Sequence, residues 1–317
     1  MTPANTSPSI PETLRWGVLL AVGTALISGL SIFVNGFAVK QLPDPAVYTT
    51  LKNGVAAFLL IGLMAVSVRP AALKAIPRRS WGWLAVIGII GGSLPFLLFF
   101  TGLAQASAPS AAFIQKTLFI WVAFLAVPLL GERLGLAQIG ALVVLLAGQA
   151  LILMPAGISW GSGETLIAAA TLLWAIETIV ARRVLKTVPA AVVGAARLGI
   201  GLVVLVGYLA VTGKLGAVAA LGAEQWRWVL LTGLLLTGYV ATWFAALKRA
   251  PASLVTAILV LGAPATAALQ ALATGAVPAF PVLAGQLLVL AAGGGLAVLT
   301  LRRWRPVPQP AGADPAR

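Results

Sequence analysis

Ten stretches of this chain are long and apolar enough to cross a lipid bilayer, and that limits the structures open to it. They run over residues 16–39, 46–68, 81–102, 109–130, 136–154, 164–181, 190–212, 226–247, 252–273 and 280–301. A helix needs about 20 apolar residues to traverse the hydrocarbon core. Inside lipid every backbone N–H and C=O must be paired within the protein, so helices and closed barrels are the only spanning forms. These runs are too long and too uniformly apolar for barrel strands, which alternate polar and apolar residues. Composition agrees, with 60% hydrophobic and 9% charged residues in 317, against about 25% charged in an ordinary soluble domain. A soluble enzyme and a disordered chain are both excluded. The expected fold is an all-α polytopic membrane protein with ten transmembrane helices. Residues 1–13 and 304–317, rich in Pro, Ser, Thr and Ala, read as short disordered tails. The first span is longer than the 7–15 or so apolar residues of a signal-peptide core, so cleavage is not expected.

Charge gives orientation. There are 21 Lys+Arg against 7 Asp+Glu, a net +14. In a soluble protein that excess would point to nucleic acid. Here the cations sit between apolar runs, so no nucleic-acid partner is expected and the partner is the bilayer. With the N-terminus in the cytoplasm, fifteen cations fall in inside segments, among them Arg78, Arg79, Arg182, Arg183 and Lys186. Three (Lys40, Lys214 and Arg227) fall outside, and three (Lys52, Lys116 and Arg197) lie within spans. That bias over short loops places both termini in the cytoplasm and the chain in the inner, or plasma, membrane. Cysteine and histidine are absent. Disulfides, thiolate nucleophiles, imidazole bases and Cys/His metal sites are thereby removed, and no cofactor or metal is expected.

The chain also repeats. A shift of 145 residues lays Trp81 and Trp83 on Trp226 and Trp228, Gly88 on Gly233, Gly140 on Gly285 and Gly148 on Gly293. Lys52 falls on Arg197, so the cation of the second span recurs in the seventh. The register slips by one residue near 103–111. Each half holds five spans, and an odd number forces the second half to enter the membrane from the opposite side. The expected organisation is a cytoplasmic tail over 1–15, a five-helix repeat over 16–154, an inverted five-helix repeat over 164–301, and a cytoplasmic tail over 302–317. Gly88 to Gly92 form a small-xxx-small pattern, read as a packing device. Pro95 and Pro264 each remove a helical hydrogen bond and are expected to kink spans 3 and 9.

These features resemble the EamA branch of the drug/metabolite transporter superfamily over nearly the whole chain. The residues that carry the resemblance are Leu130-Gly131-Glu132-Arg133-Leu134 with Gly140 and Gly148, and Gly163-Glu164-Thr165-Leu166 leading to Leu173-Trp174-Ala175 and Ala181-Arg182-Arg183. The paired entries Ala106-Ser107-Ala108 and Ala250-Pro251-Ala252-Ser253 belong with them. Where the family usually has Arg near the start of span 2, this chain has Lys52, with Arg197 at the mirror position. The second Glu often found after span 9 is replaced by Val277, and span 4 carries Gln115-Lys116-Thr117 in place of a mid-helix Pro. The resemblance implies a ten-helix secondary transporter, often an exporter of amino acids or other small metabolites. It further implies a central cavity lined by spans 1, 3, 4, 6, 8 and 9.

Three functions compete on chemistry. A carrier fits the repeat and the intramembrane charges. An intramembrane enzyme needs a catalytic constellation, and Glu177 is the one carboxylate well inside a span. A channel needs a filter-like loop or a ring of charges, and neither is evident. No GxxxxGK[ST] loop is present, so nucleotide drive within the chain is excluded. The expected substrate-binding residues are Lys116 with Gln115, Asn35, Trp174, Tyr239 and Trp243. The expected charge-pair or coupling residues are Glu177, Arg197 and Lys52. Glu177 and Arg197 lie at matching depths from the same membrane face and are expected to neutralise each other, unless Arg197 snorkels to the interface. Lys116 and Lys52 are expected in the outer half of the bundle, with no carboxylate at their level. For Lys52 snorkelling is the favoured reading. For Lys116 an anionic substrate group, snorkelling and a neutral, proton-coupling amine all stand. The partner is a small metabolite, exported, imported or exchanged, and a homodimer stays open.

Loop charge predicts that positions 74 and 186 face the cytoplasm and positions 157 and 214 the exterior. The cysteine-free background permits single-cysteine labelling in intact cells with a membrane-impermeant maleimide. Labels are expected at 157 and 214, and labelling at 74 would reverse the orientation.

Overall fold

The computed structural model describes residues 12–42, 44–103, 105–106, 108–153, 160–275 and 277–303, and among them the regular structure is helical throughout. Ten spans follow one another: α1 Glu12–Ala38, α2 Pro45–Ser67, α3 Arg78–Leu103, α4 Ser110–Leu130, α5 Leu136–Leu153, α6 Ser162–Val184, α7 Ala190–Val211, α8 Ala223–Arg249, α9 Ala252–Thr274 and α10 Phe280–Arg303. Nine meet the length and hydropathy of a bilayer crossing among the described residues, and α5 is the short one. The first helix starts at Glu12, earlier than the expected tail boundary at 15. Glu12 lies in the favourable first turn, where its carboxylate accepts from the Trp16 indole (3.3 Å), and Leu14 is already buried. The last helix runs to Arg303, past the expected end at 301. Gly157 and most of the two tails lie outside the described residues.

Three spans are broken near their middles. In α3 the break is at Ser93, because Pro95 has no N–H to offer the Gly91 carbonyl. In α9 the helix ends at Leu259 and restarts at Gly262, ahead of Pro264. In α4 it falls at Thr117, where no proline follows four residues on. There the Thr117 hydroxyl donates to the Ile114 carbonyl (2.6 Å) and the chain tightens to i→i+3 bonding, Ile120 N–H to Thr117 O at 2.9 Å. The α4 and α9 breaks are mirror-related, and so are the left-handed glycines that end both helices, Gly131 (φ +69°) and Gly275 (φ +67°). Only glycine enters that region without steric cost.

Packing repeats the sequence symmetry. α1 packs on α8 and α9 as α6 packs on α3 and α4; α2 on α8 matches α7 on α3; α2 pairs with α7 and α5 with α10. Exchanging each helix for the one five places along returns the main contacts of the map. Glycine contacts bring backbones together at several crossings, Gly29 with Gly262 and Gly102 with Gly163 among them. Gly148 of α5 meets Gly285 of α10, and Gly92 of α3 meets Gly201 and the Arg197 carbonyl of α7. At the end opposite the arginine-rich turns, Asp44 ties the repeats together. Its carboxylate caps α2 through Ala46 N–H (2.7 Å) and Val47 N–H (3.3 Å) and accepts from Lys214 Nζ (2.7 Å). Burial pushes the Asp44 carboxyl up, but the hydrogen bonds from Lys214, Ala46 and Val47 outweigh it and hold the group below its ordinary value.

A methyl group on Gly92 would overlap the Arg197 backbone carbonyl. Gly92→Ala is therefore expected to separate α3 from α7 and cost about 1–3 kcal/mol or more. Thermal unfolding in detergent checks this, with Gly62→Ala as the control, since a Cβ at Gly62 meets nothing.

Candidate functional site

A cavity of about 190 Å³ opens among the broken helices. Its wall takes Ser28, Ser31 and Ile32 from α1, Phe96 from α3, and Gln115, Lys116, Leu118 and Phe119 from α4. The remainder comes from Trp174, Glu177 and Thr178 of α6, Leu236, Tyr239 and Trp243 of α8, Thr256, Leu259 and Val260 of α9, and Arg197 of α7. Residues 174, 177 and 178 share one helical face, as do 236, 239 and 243, so single faces of α6 and α8 supply them. The α4 and α9 contributions cluster at the breaks, Gln115 to Phe119 around Thr117 and Leu259 and Val260 at the α9 interruption.

The ion pair is central. Arg197 Nε lies 3.5 Å from Glu177 Oε1, both side chains nearly inaccessible, so Arg197 is held inside the bundle and does not snorkel. Neither of those two atoms has a hydrogen-bond partner among the described residues. The contact is thus an ion pair without hydrogen-bond geometry. It fits closely against α3, where a Cβ at Gly91 would run into the Glu177 side chain and reach within 3.1 Å of Arg197 Nε. The carbonyl of Gly91, freed by Pro95, accepts the Trp174 indole N–H at 3.2 Å. Trp174 is further held edge-on by Phe96, ring centroids 5.4 Å apart. Across the cavity Tyr239 and Trp243 lie nearly parallel, 9° between planes and 6.1 Å between centroids. Arg197 sits 6.0 Å from the Phe244 ring centre.

Six of the expected residues therefore meet in one wall with Lys116: Gln115, Trp174, Glu177, Arg197, Tyr239 and Trp243. Three expectations are corrected. Lys116 was expected at a level without any carboxylate, yet it lines the same cavity as Glu177. Counting depth along single helices fails here because α4 is broken one residue after Lys116 and the helices cross at an angle. Asn35, expected in the substrate site, stands behind the wall. It donates through Nδ2 to the Ser31 carbonyl (2.6 Å) and hydroxyl (3.0 Å), and its Oδ1 accepts from Tyr48 OH (2.5 Å) and Lys52 Nζ (3.3 Å). Lys52, expected to snorkel, is 8% exposed, with its ammonium 5.2 Å from the Tyr48 ring centre. The Asn35 oxygen and the ring face give that buried cation an internal partner, which replaces the interface. Sequence reasoning left Ser28, Ser31, Thr178 and Thr256 out of the wall. Ser31 and Thr178 stand four residues before Asn35 and after Trp174, so helical spacing from those two residues was a usable signal.

A ten-span helical bundle of two repeats, with a central, aromatic-walled and charged cavity at helix breaks, is the architecture of a membrane transporter. The chain belongs to the EamA-like transporter family, part of the drug/metabolite transporter superfamily, whose profile matches twice, over residues 15–154 and 161–298. It is similar to the uncharacterized transporter YcbK of Bacillus subtilis (strain 168), 28% identical over 124 residues, which are 38% of this chain and 39% of that one. The chain thus spans about two fifths of that curated relative. A solved crystal structure shares the fold at a TM-score of 0.74 and 18% identity, over 90% of this chain and 98% of the other.

Opposite charges buried side by side predict strong coupling. Glu177→Gln and Arg197→Gln are each expected to cost about 3–5 kcal/mol, because each strands a buried charge. The double variant is expected to cost less than the sum. Thermal stability of the three purified variants checks this, and additive losses would count against the pair.

Proposed function

We propose that this protein is a secondary transporter that exports a small organic metabolite bearing an anionic group, an amino acid or a related compound, by alternating access. The observation that carries the reading is the position of Lys116 in the cavity wall. Glu177 and Arg197 are committed to each other, so the Lys116 ammonium is the wall's cation without a paired carboxylate among the described residues. A charged lysine inside a membrane protein needs water or an anion. A substrate carboxylate meets that need, Gln115 beside it offers hydrogen bonds, and the parallel rings of Tyr239 and Trp243 offer an apolar face for the rest of the molecule. We place the protein in the cytoplasmic membrane with both termini inside, on loop charge, and take residues 16–154 and 164–301 as the two bodies that rock about the cavity.

Lys116→Ala is expected to abolish transport while the protein still inserts and folds. Lys116→Arg is expected to retain part of the activity, because charge survives but geometry changes. The measurement is efflux and counterflow of a metabolite panel in proteoliposomes at matched protein. Trans-acceleration identifies a carrier, and wild-type rates in the alanine variant would remove Lys116 from the site.

A further inference from the structure

The two ends of the bundle are built differently. At the end carrying Arg182, Arg183 and Lys248, the turn after α4 reaches across to the start of α9. The Glu132 carboxylate accepts from Ala252 N–H (2.6 Å) and Ser253 N–H (3.1 Å) with its two oxygens, and from the Ser253 hydroxyl at 2.5 Å. A carboxylate there satisfies two of the unpaired N–H groups of α9 and meets the positive end of the helix dipole. Around it Arg182 Nη1 donates to the Lys248 carbonyl (3.1 Å), and Lys248 Nζ donates to the Val188 carbonyl (3.2 Å). On the same side the Leu118–Leu130 half of α4 packs directly on the Ala252–Leu259 half of α9. Beyond the breaks the partners change. The Ala108–Lys116 half of α4 lies against α5 and α6, and the Gly262–Thr274 half of α9 lies against α1.

The sequence explains why this α4–α9 clamp has no mirror-image counterpart among the described residues, where the opposite end is joined instead by Asp44 and Lys214. Repeat symmetry would place a second carboxylate just after α9, where the sequence continues from Gly275 to Ala276 and Val277 with no acid. Its target would be the start of α4, where Ala108 and Pro109 occupy the places of Ala252 and Ser253. Proline has no N–H and no hydroxyl to donate. The sequence thus lacks the acid at that end and the donors that Ser253 supplies at the other.

We propose that Glu132 is a positioning residue that latches the arginine-rich end of the cavity shut by holding the first half of α9 against α4. Release of Glu132 from Ala252 and Ser253 is then the step that opens the cavity to that side. The inference rests on the alternating-access reading, but its test needs no substrate. Thr256 lines the cavity one turn beyond Ser253 and is buried, so a cysteine there, in a chain that has no other, reports access from each side.

The experiment measures labelling of Thr256→Cys by a membrane-impermeant maleimide in sealed vesicles of both orientations, with Glu132→Ala, Glu132→Gln and Ser253→Ala added in turn. With the latch intact, labelling from the arginine-rich side is expected to be slow. Glu132→Ala is expected to raise it about tenfold and to lower labelling from the opposite side, as a shift between two states requires. Glu132→Gln and Ser253→Ala remove part of the clamp and are expected to act in the same direction with smaller size. Unchanged rates, or rates that rise together from both sides, would overturn the proposal, since a merely structural role loosens both. Should the alanine variant fail to insert, the Ser253→Ala rates decide. Absence of transport for every metabolite tried would strike at the proposed function and leave the latch measurement standing.

Discussion

A backbone carbonyl deprived of its helical partner inside a bilayer must find another one within the protein, and the centre of this molecule is arranged around that demand. Pro95 strips the Gly91 carbonyl of its partner, and the Trp174 indole replaces it. The neighbouring Gly92 carbonyl accepts from Asn53 at 3.4 Å, and Ser93 turns its hydroxyl back to the Ile89 carbonyl. The same break leaves glycines at 91 and 92, so α3 comes close enough to α6 and α7 to cover Glu177 and Arg197. Cavity, aromatic wall and ion pair thus share one cause. Broken helices are tolerated where they border a polar space, and the space exists because the helices are broken.

A buried ion pair contributes little net stability, since desolvation offsets most of the attraction. Its value here lies in what it prevents. With Glu177 and Arg197 occupied by each other, neither charge attracts counter-ions into the bundle independently, and the wall presents Lys116 as its distinct electrostatic feature. The cluster of Asn35, Tyr48 and Lys52 behind the wall follows similar logic with weaker partners. There a cation is met by an amide oxygen and an aromatic face, and Ser31 joins that cluster to the cavity.

Pseudo-symmetry makes the departures informative. The main helix contacts, the α4 and α9 breaks and the left-handed glycines that end those two helices recur in both halves, while the α3 break at Ser93 has no counterpart in α8. The carboxylate clamp does not recur, because no acid follows Gly275 to act as acceptor and Pro109 stands in place of the Ser253 donors. Under the alternating access proposed above, this clamp at one end alone gives an uneven equilibrium between two arrangements of the same helices. Such an equilibrium is what a carrier must have and what ligand binding can tilt.

Much of this was legible without coordinates. The number of spans follows from the thickness of lipid, and the repeat from matched tryptophans, glycines and the Lys52–Arg197 correspondence. The proximity of Glu177 and Arg197 follows from helical rise in adjacent antiparallel spans, and the kinks at Pro95 and Pro264 from the missing N–H. What the sequence did not decide is which distant helices touch. The joining of Lys116 to the Glu177 wall, the retreat of Asn35 behind it and the reach of Glu132 to a helix 120 residues away are contacts between separate spans. Local pattern records how apolar a position is and which side of its own helix it occupies. It carries no term for how helices tilt and cross, and those angles, set by small residues packing throughout the bundle, placed the charges relative to one another.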